Sequence, residues 1–278
     1  MSLITVVSNR ADTIAHALSS IAHQSYRHIQ HIVIDGASVD GTLEILQQSG
    51  DTIDTLVSEA DNGIYDALNK GLSRAQGDIV GLLHSDDFFH DSHVIEEVVE
   101  AFKDPSVDGV YGDVCYVTRK HADRVLRYWH AGEFSPDRLK KGWMPPHPAL
   151  FLRRSVFERL GEYDVSFRIA ADYDFILRSL HRGRIRLAYV PRVLVMMRMG
   201  GESNASLMRI LRKSIEDYRA LRKNQAGGLS TVFWKNLSKV PQFFIAKRRG
   251  LASRSKTPEA PERRGQSGKQ FNPRGVTK

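Results

Sequence analysis

The sequence predicts an α/β fold, in which a mostly parallel sheet carries helices on both faces and is followed by a C-terminal helical extension. Three observations carry this expectation. Apolar runs of strand length alternate with segments of helical period through the first hundred residues. Three of the strands end in polar clusters, at Ser8-Asn9, Asp35-Gly36 and Ser85-Asp86-Asp87. The chain has 278 residues, 41% of them hydrophobic, which is enough for one sizeable core.

The elements follow in order. LITVV (3–7) reads as a strand, and residues 12–23 place Ile14, Ala17, Leu18 and Ile21 on one helical face. IQHIVID (29–35) is a second strand, and 40–48 a helix that Asp40 can cap. DTLVS (54–58) is a short strand, and 62–75 a helix with Ile64, Leu68 and Leu72 on one side. DIVGLLH (78–84) is a fourth strand, followed by a helix at 91–102. Past GVYGDVCYV (109–117), another strand, residues 118–146 read as loops and short pieces, with MPPHP (144–148) a rigid break. Residues 149–161 read as a strand running into a helix, 171–183 as a helix, RLAYVPRVLVMMR as the last strand region and 206–224 as a charged helix.

Cys115 is the only cysteine, so no disulfide framework or Cys-rich zinc site can form, which fits a reducing cytoplasm. The N-terminus lacks the features of a signal peptide, and VLVMM is hemmed in by Arg192 and Arg198. The net charge of +8 looks like a nucleic-acid footprint until it is located. Residues 247–278 hold ten Lys/Arg and two Glu, so the rest of the chain is neutral and no nucleic-acid partner is expected. The expected division is a globular domain over 1–225, an amphipathic segment over 226–249 and a disordered basic tail over 250–278. In the middle segment Phe233, Trp234, Leu237 and Val240 share one side, and Phe243, Phe244 and Ile245 precede Lys247-Arg248-Arg249. Such a segment can lie on an anionic membrane surface or pack on the body.

Four stretches carry chemistry. A lone Asp at a strand end is often a helix cap, and Asp91 or Ser92 could serve as one. Two adjacent carboxylates, Asp86 and Asp87, instead suit a Mg²⁺ or Mn²⁺ ion whose other positions go to water and substrate phosphates; His84 reads as a lining residue. Asp35 ends its strand where a base or ribose could be bonded, while Asp40 or Ser38 reads as a cap. VDGTL suggests a phosphatase motif, but the upstream nucleophile is missing. In DNGIYDALNKG (61–71), Asn62-Gly63 is a turn, Lys70 reads as solvated and Asn69 as an inward polar residue. In AADYD (170–174), Asp172 and Asp174 cannot share a helix face, so one can face a cleft; both could also be acids favoured by the helix dipole.

Three blocks together resemble glycosyltransferase family 2, most closely the bacterial exopolysaccharide and colanic-acid type. They are VVSNRADTIAHALSSIAHQSYRHIQHIVIDGASVDGT, EADNGIYDALNKGLSRAQGDIVGLLHSDD and HPALFLRRSVFERLGEYDVSFRIAADYDFILR, within residues 3–200. The resemblance implies the GT-A fold, a nucleotide-sugar donor, with UDP the commonest nucleotide, and inversion at the anomeric carbon. It implies that Asp35 contacts the nucleobase, that Asp87 binds metal with Asp86 nearer the ribose, and that Asp172 is the catalytic base. Ala171 stands where the family often has Glu, and Asp174 is the alternative base. Ser8, Asn9 and Asn69 fall on the donor side, although SNR departs from the family's Pro-Thr-Tyr/Phe-Asn. His147 and Arg153 fall in the acceptor block. The acceptor would be a glycan or lipid-linked hydroxyl, met in the cytoplasm or at the inner face of its membrane. A nucleotidyltransferase or a catalytically silent binding protein on the same sheet are the other readings.

Overall fold

The computed structural model describes residues 1–119, 121–199 and 207–237. The expected strands form: β1 (Ser2–Val7), β2 (Gln30–Asp35), β3 (Thr55–Ser58) and β4 (Ile79–Leu82). Between them lie α1 (Ile14–Ala22), α2 (Thr42–Gln48) and α3 (Ile64–Leu72). All three pairings among these strands are parallel, in the order β3-β2-β1-β4, with Val7 opposite Asp35 and Asp35 opposite Ser58. Their carboxyl ends therefore share one edge, where open α/β sheets bind ligands.

The second half adds antiparallel neighbours. Next come β5 (Phe88–Phe89), α4 (Val94–Ala101), β6 (Gly109–Val117), β7 (Val125–Trp129) and α5 (Pro136–Lys140). They are followed by β8 (Leu150–Arg153), α6 (Arg154–Leu160), α7 (Ala171–Leu177) and β9 (Leu187–Arg198). The sheet continues β4-β8-β6-β9-β5, with β7 on β6; only β6-β9 is parallel in this half. Residues 118–146, expected to be loops and short pieces, hold the short strand β7 and the short helix α5. β7 is legible only by its pairing, since Leu126 is exposed and its apolar residues do not alternate cleanly. The helix expected over 171–183 loosens into a π-turn at Arg178–Arg182.

Side-chain alternation sorts the two faces. Ile4, Val6, Ile32 and Ile34 point to α3, α6 and α7. Leu3, Leu83 and Val110 point to α4, and Val7 and Val33 to α1 and α2. β1, β2, β4 and β6 are buried on both sides, so each reads as a mostly apolar run.

Two further helices, α8 (Leu207–Lys223) and α9 (Leu229–Leu237), cover α7. α9 packs on the body through Thr231, Val232 and Lys235. A Cβ on Gly142 would stand 2.6 Å from that of Lys235, so only glycine admits this helix. Lys235 Nζ lies 2.8 Å from Asp217 Oδ1 of α8, and both residues are buried. The remainder of the expected amphipathic segment (238–249) and the basic tail lie outside the described residues. Among the described residues no helix is long and apolar enough to cross a membrane.

Candidate active site

The site forms along the carboxyl edge of β1, β2 and β4. Ser8 follows β1 and is exposed. Asn9 adopts a left-handed backbone (φ 52°) and ties the next loop: its amide donates to Ser38 Oγ (2.8 Å), and its Oδ1 accepts from the Val39 amide (2.9 Å). Asp35 is fully buried. It accepts from Ser38 Oγ (2.5 Å), the Ser38 amide (3.1 Å) and Ser58 Oγ (2.6 Å). A base could reach it only after Ser38 moves. Beside it, a Cβ on Gly36 would fall 2.5 Å from Asp61 Oδ2 and 3.4 Å from Ser8 Cβ, so this glycine lets Asp61 and Ser8 approach the end of β2 closely. Asp61 was not among the expected site residues. The available signal was its position between β3 and the Asn62-Gly63 turn, where its Oδ1 accepts from the Gly63 amide (2.8 Å).

Asp86 and Asp87 follow β4, as expected. Asp86 is half-exposed and Asp87 is buried, with Oδ2 unpartnered. Burial and the adjacent Asp86 charge push the Asp87 carboxyl well above its ordinary range, against the opposing pull of Arg198. No group of three His, Cys, Asp or Glu that could hold a metal occurs among the described residues. A hard divalent ion that keeps water and takes substrate phosphates needs only one or two carboxylates. The orphaned Asp87 oxygen beside Asp86 fits that donor set.

Arg198, at the end of β9, is a second residue that the sequence did not single out. Its amide donates to Asp87 Oδ1 (3.3 Å) and its Nη1 to the Asp86 carbonyl (2.9 Å). Nη2 lies 2.5 Å from His16 Nδ1, and the guanidinium sits over the Phe88 ring at 4.8 Å. Among the described residues it makes no side-chain ion pair. Nothing local in VLVMMRMG marks it, because β5-β9 pairing brings it to β4.

Asp172 lies in the first turn of α7, half-exposed. Its Oδ1 is 3.1 Å from Tyr65 Oη, which also lies 2.7 Å from the Ile169 carbonyl. Burial would raise this carboxyl, but His147, Lys213, Lys235 and the Tyr173 amide together hold it below its ordinary value. His147 is buried, with Nε2 3.3 Å from Tyr163 Oη and its ring 5.9 Å from that of His84. Burial lowers the His147 imidazole to about 4, despite Asp172, so it is neutral near pH 7. His84 feels both Asp86 and Asp172, yet burial still lowers it. His84 is thus within electrostatic reach of both Asp86 and Asp172, and His147 of both Asp172 and His84.

Three expected residues lie elsewhere. Asn69 spends its amide on Tyr163, donating to its carbonyl (2.9 Å) and accepting from its N–H (3.0 Å). It clamps the loop before α7, so its amide is committed to the backbone there. Arg153 pairs with Ile79 at the opposite sheet edge, where its guanidinium holds the Val107, Phe102 and Asp104 carbonyls. Asp174 is fully buried and bonded to Lys223 Nζ (3.0 Å) and Asn224 Nδ2 (2.8 Å). The spacing of two sends the two acids to different neighbours, Asp172 to Tyr65 and Asp174 to α8 and the residue after it.

With this geometry in hand, the chain can be set beside known proteins. Residues 2–161 match the model of the family described as glycosyl transferase family 2. An uncharacterized glycosyltransferase of Mycobacterium tuberculosis is 35% identical over 184 residues, 64% of this chain and 68% of the relative. A PGL/p-HBAD biosynthesis glycosyltransferase of Mycobacterium bovis is 31% identical over 209 residues, 73% and 78% of the two chains. Among solved structures, S. aureus TarS 1-349 in complex with UDP-GlcNAc gives a TM-score of 0.60 at 18% identity, covering 80% of this chain and 64% of that one. The mannosyltransferase PcManGT from Pyrobaculum calidifontis, in complex with GDP-Man and Mn²⁺, gives 0.62 at 19%, covering 91% and 75%. At such identities the likeness concerns the fold.

Proposed function

This chain belongs to glycosyltransferase family 2 and is a glycosyltransferase of GT-A fold, and from that premise we propose an inverting transfer from a nucleotide-sugar, UDP-linked, to a hydroxyl of a glycan or lipid-linked acceptor in surface-polysaccharide or glycolipid synthesis. The observation that carries the reading is that two carboxylate centres, Asp86-Asp87 after β4 and Asp172 on α7, come close enough for both Asp86 and Asp172 to act on His84, whose ring lies 5.9 Å from that of His147. Asp87 and Asp86 supply oxygen ligands at one end, and Asp172 supplies an ionised base at the other.

In the proposed reaction Asp172 takes the proton of the acceptor hydroxyl. The oxygen forms its bond to the anomeric carbon as the bond to the nucleoside diphosphate breaks on the opposite face. No covalent sugar–enzyme intermediate is required, so one base is enough. Tyr65 and the neutral His147 orient and surround the Asp172 carboxylate. Asp87, aided by Asp86, would hold Mg²⁺ or Mn²⁺, an ion that neutralises charge on a departing diphosphate. Arg198 adds a guanidinium suited to phosphate oxygens. Ser8, Asn9, Asp35 and Asp61 frame the base and ribose.

The test is a thermal-shift panel of UDP, GDP, dTDP and their common sugars, each with and without Mn²⁺. One nucleotide should stabilise the protein in a Mn²⁺-dependent way, and Asp87→Asn should abolish that dependence. Stabilisation by none of them, in a folded protein, would overturn the donor reading. Release of a nucleoside diphosphate separates this reaction from nucleotidyl transfer, which releases pyrophosphate.

A further inference from the structure

We propose that the outer faces of α8 and α9 form a surface that docks on an anionic lipid bilayer, beside the helix that carries Asp172. The docking stands on the surface itself; only its link to a lipid-borne acceptor rests on the proposed transfer reaction.

The two helices form a hairpin joined by residues 224–228, with Lys235 of α9 set against Asp217 of α8. α8 turns Asp217, Ala220 and Leu221 inward, and Asn224 just after it is buried as well. The helix turns Leu211, Arg212, Ile215, Tyr218 and Arg222 outward, while the Arg219 guanidinium lies on Ser166 and Phe167 of the body. α9 turns Leu229, Phe233, Trp234 and Leu237 outward. Ile215 is 58% exposed, Phe233 63% and Trp234 53%, which is unusual for such large side chains on one short segment. Both acids of α8 are committed elsewhere. Glu216 Oε2 accepts from the Ile169 (2.8 Å) and Ala170 (2.9 Å) amides, and Asp217 faces Lys235 and Lys213.

The outward faces therefore combine apolar, aromatic and guanidinium groups without a carboxylate. A bilayer with anionic headgroups matches each class. Leu, Ile and Phe can enter the acyl boundary, Trp and Tyr can sit at headgroup depth, and Arg can meet the phosphates. A second copy of the chain fits less well, because self-pairing would bring guanidinium groups together. The sequence continues in the same composition, with Phe243, Phe244 and Ile245 before Lys247-Arg248-Arg249, outside the described residues. The surface backs directly on α7, since Glu216 holds the amides just before Asp172. A bilayer on this face would lie on the acceptor side of the site.

The experiment is flotation of the full chain with vesicles of pure phosphatidylcholine or phosphatidylcholine with phosphatidylglycerol. Binding should require the anionic lipid and weaken with salt. Ile215→Glu and Trp234→Glu, singly, should each weaken it by about tenfold or more. Their melting temperatures and metal-dependent nucleotide stabilisation should match the unaltered protein. Wild-type vesicle binding in both variants would overturn the proposal, because the basic tail alone would then account for binding. So would absence of vesicle binding together with a dimer in sedimentation that these substitutions disperse. Vesicle binding without any nucleotide response would sink the donor reading and leave the docking surface standing.

Discussion

Asp172 and Arg198 occupy the two ends of the site, and each makes a distinct claim. A positioned base contributes about 10²–10⁴ in rate. Asp172→Asn should lose about that much turnover while donor binding, read by calorimetry, stays near normal; near-normal turnover would remove Asp172 as the base. Arg198 argues from charge. A divalent ion would offset only part of the summed charge of the Asp86 and Asp87 carboxylates and a diphosphate, so a further cation has a place beside it. Arg198 lies against both residues and makes no side-chain ion pair among the described residues. Arg198→Met should therefore weaken nucleoside diphosphate binding by about tenfold or more, in line with loss of one charge-assisted hydrogen bond. Binding of the plain nucleoside should change little. Equal loss for both ligands would mark Arg198 as structural only. Asp172 was legible in the sequence because it carries a family motif. Arg198 was not, because strand pairing alone brings it there.

α7 illustrates how an element can depend on a distant one. Its N-cap is Ala170, which offers no side-chain acceptor. The missing cap comes from α8: the Glu216 carboxylate accepts from the Arg168, Ile169 and Ala170 amides at 3.2, 2.8 and 2.9 Å. Asn69 holds the same approach from α3 through Tyr163. Glu216→Ala strands these amides and should cost about 1–3 kcal/mol. It should also lower turnover, because α7 positions the base, whereas Glu216→Gln should recover part of both. Chemical denaturation and turnover on the two variants check this. The amphipathic period made α3 and α8 readable. Their roles as clamps were hidden, since Asn69 and Glu216 look like ordinary polar residues until the chain brings their partners close.

Among the described residues, two buried imidazoles are expected to contribute to acid sensitivity. Burial holds His31 near a pKa of about 4, despite the Thr52 carbonyl and Asp54, below its ordinary 6.5. Its two nitrogens are satisfied in the neutral form, by Thr5 Oγ1 and the Thr52 carbonyl, each at 3.0 Å. His147 is lowered to about 4 as well. A folded pKa below the unfolded one means that the unfolded chain takes up protons first. Their contribution is therefore intact above pH 6.5 and is lost as pH falls toward about 4. The melting temperature should hold near neutrality and decline through that window. His31→Asn should lower it at pH 7.5 but flatten the decline; an unchanged slope would show that other groups govern it.

The local pattern along the chain was enough for the α/β architecture, the shared edge of strand ends and the places of Asp35, Asp86 and Asp87 on it, while Asp172 was chosen over Asp174 by the family resemblance. The architecture and that edge depend on apolar periodicity and on residues adjacent in sequence, which act over one turn or one strand. Folding was needed to bring in Arg198 and Asp61, to send Arg153 to the far edge and Asp174 inward, and to turn Asn69 into a clamp. Each of those outcomes depends on pairing or packing between residues far apart in the chain. That pairing is set by which faces can be buried together, and no window of the sequence contains both faces.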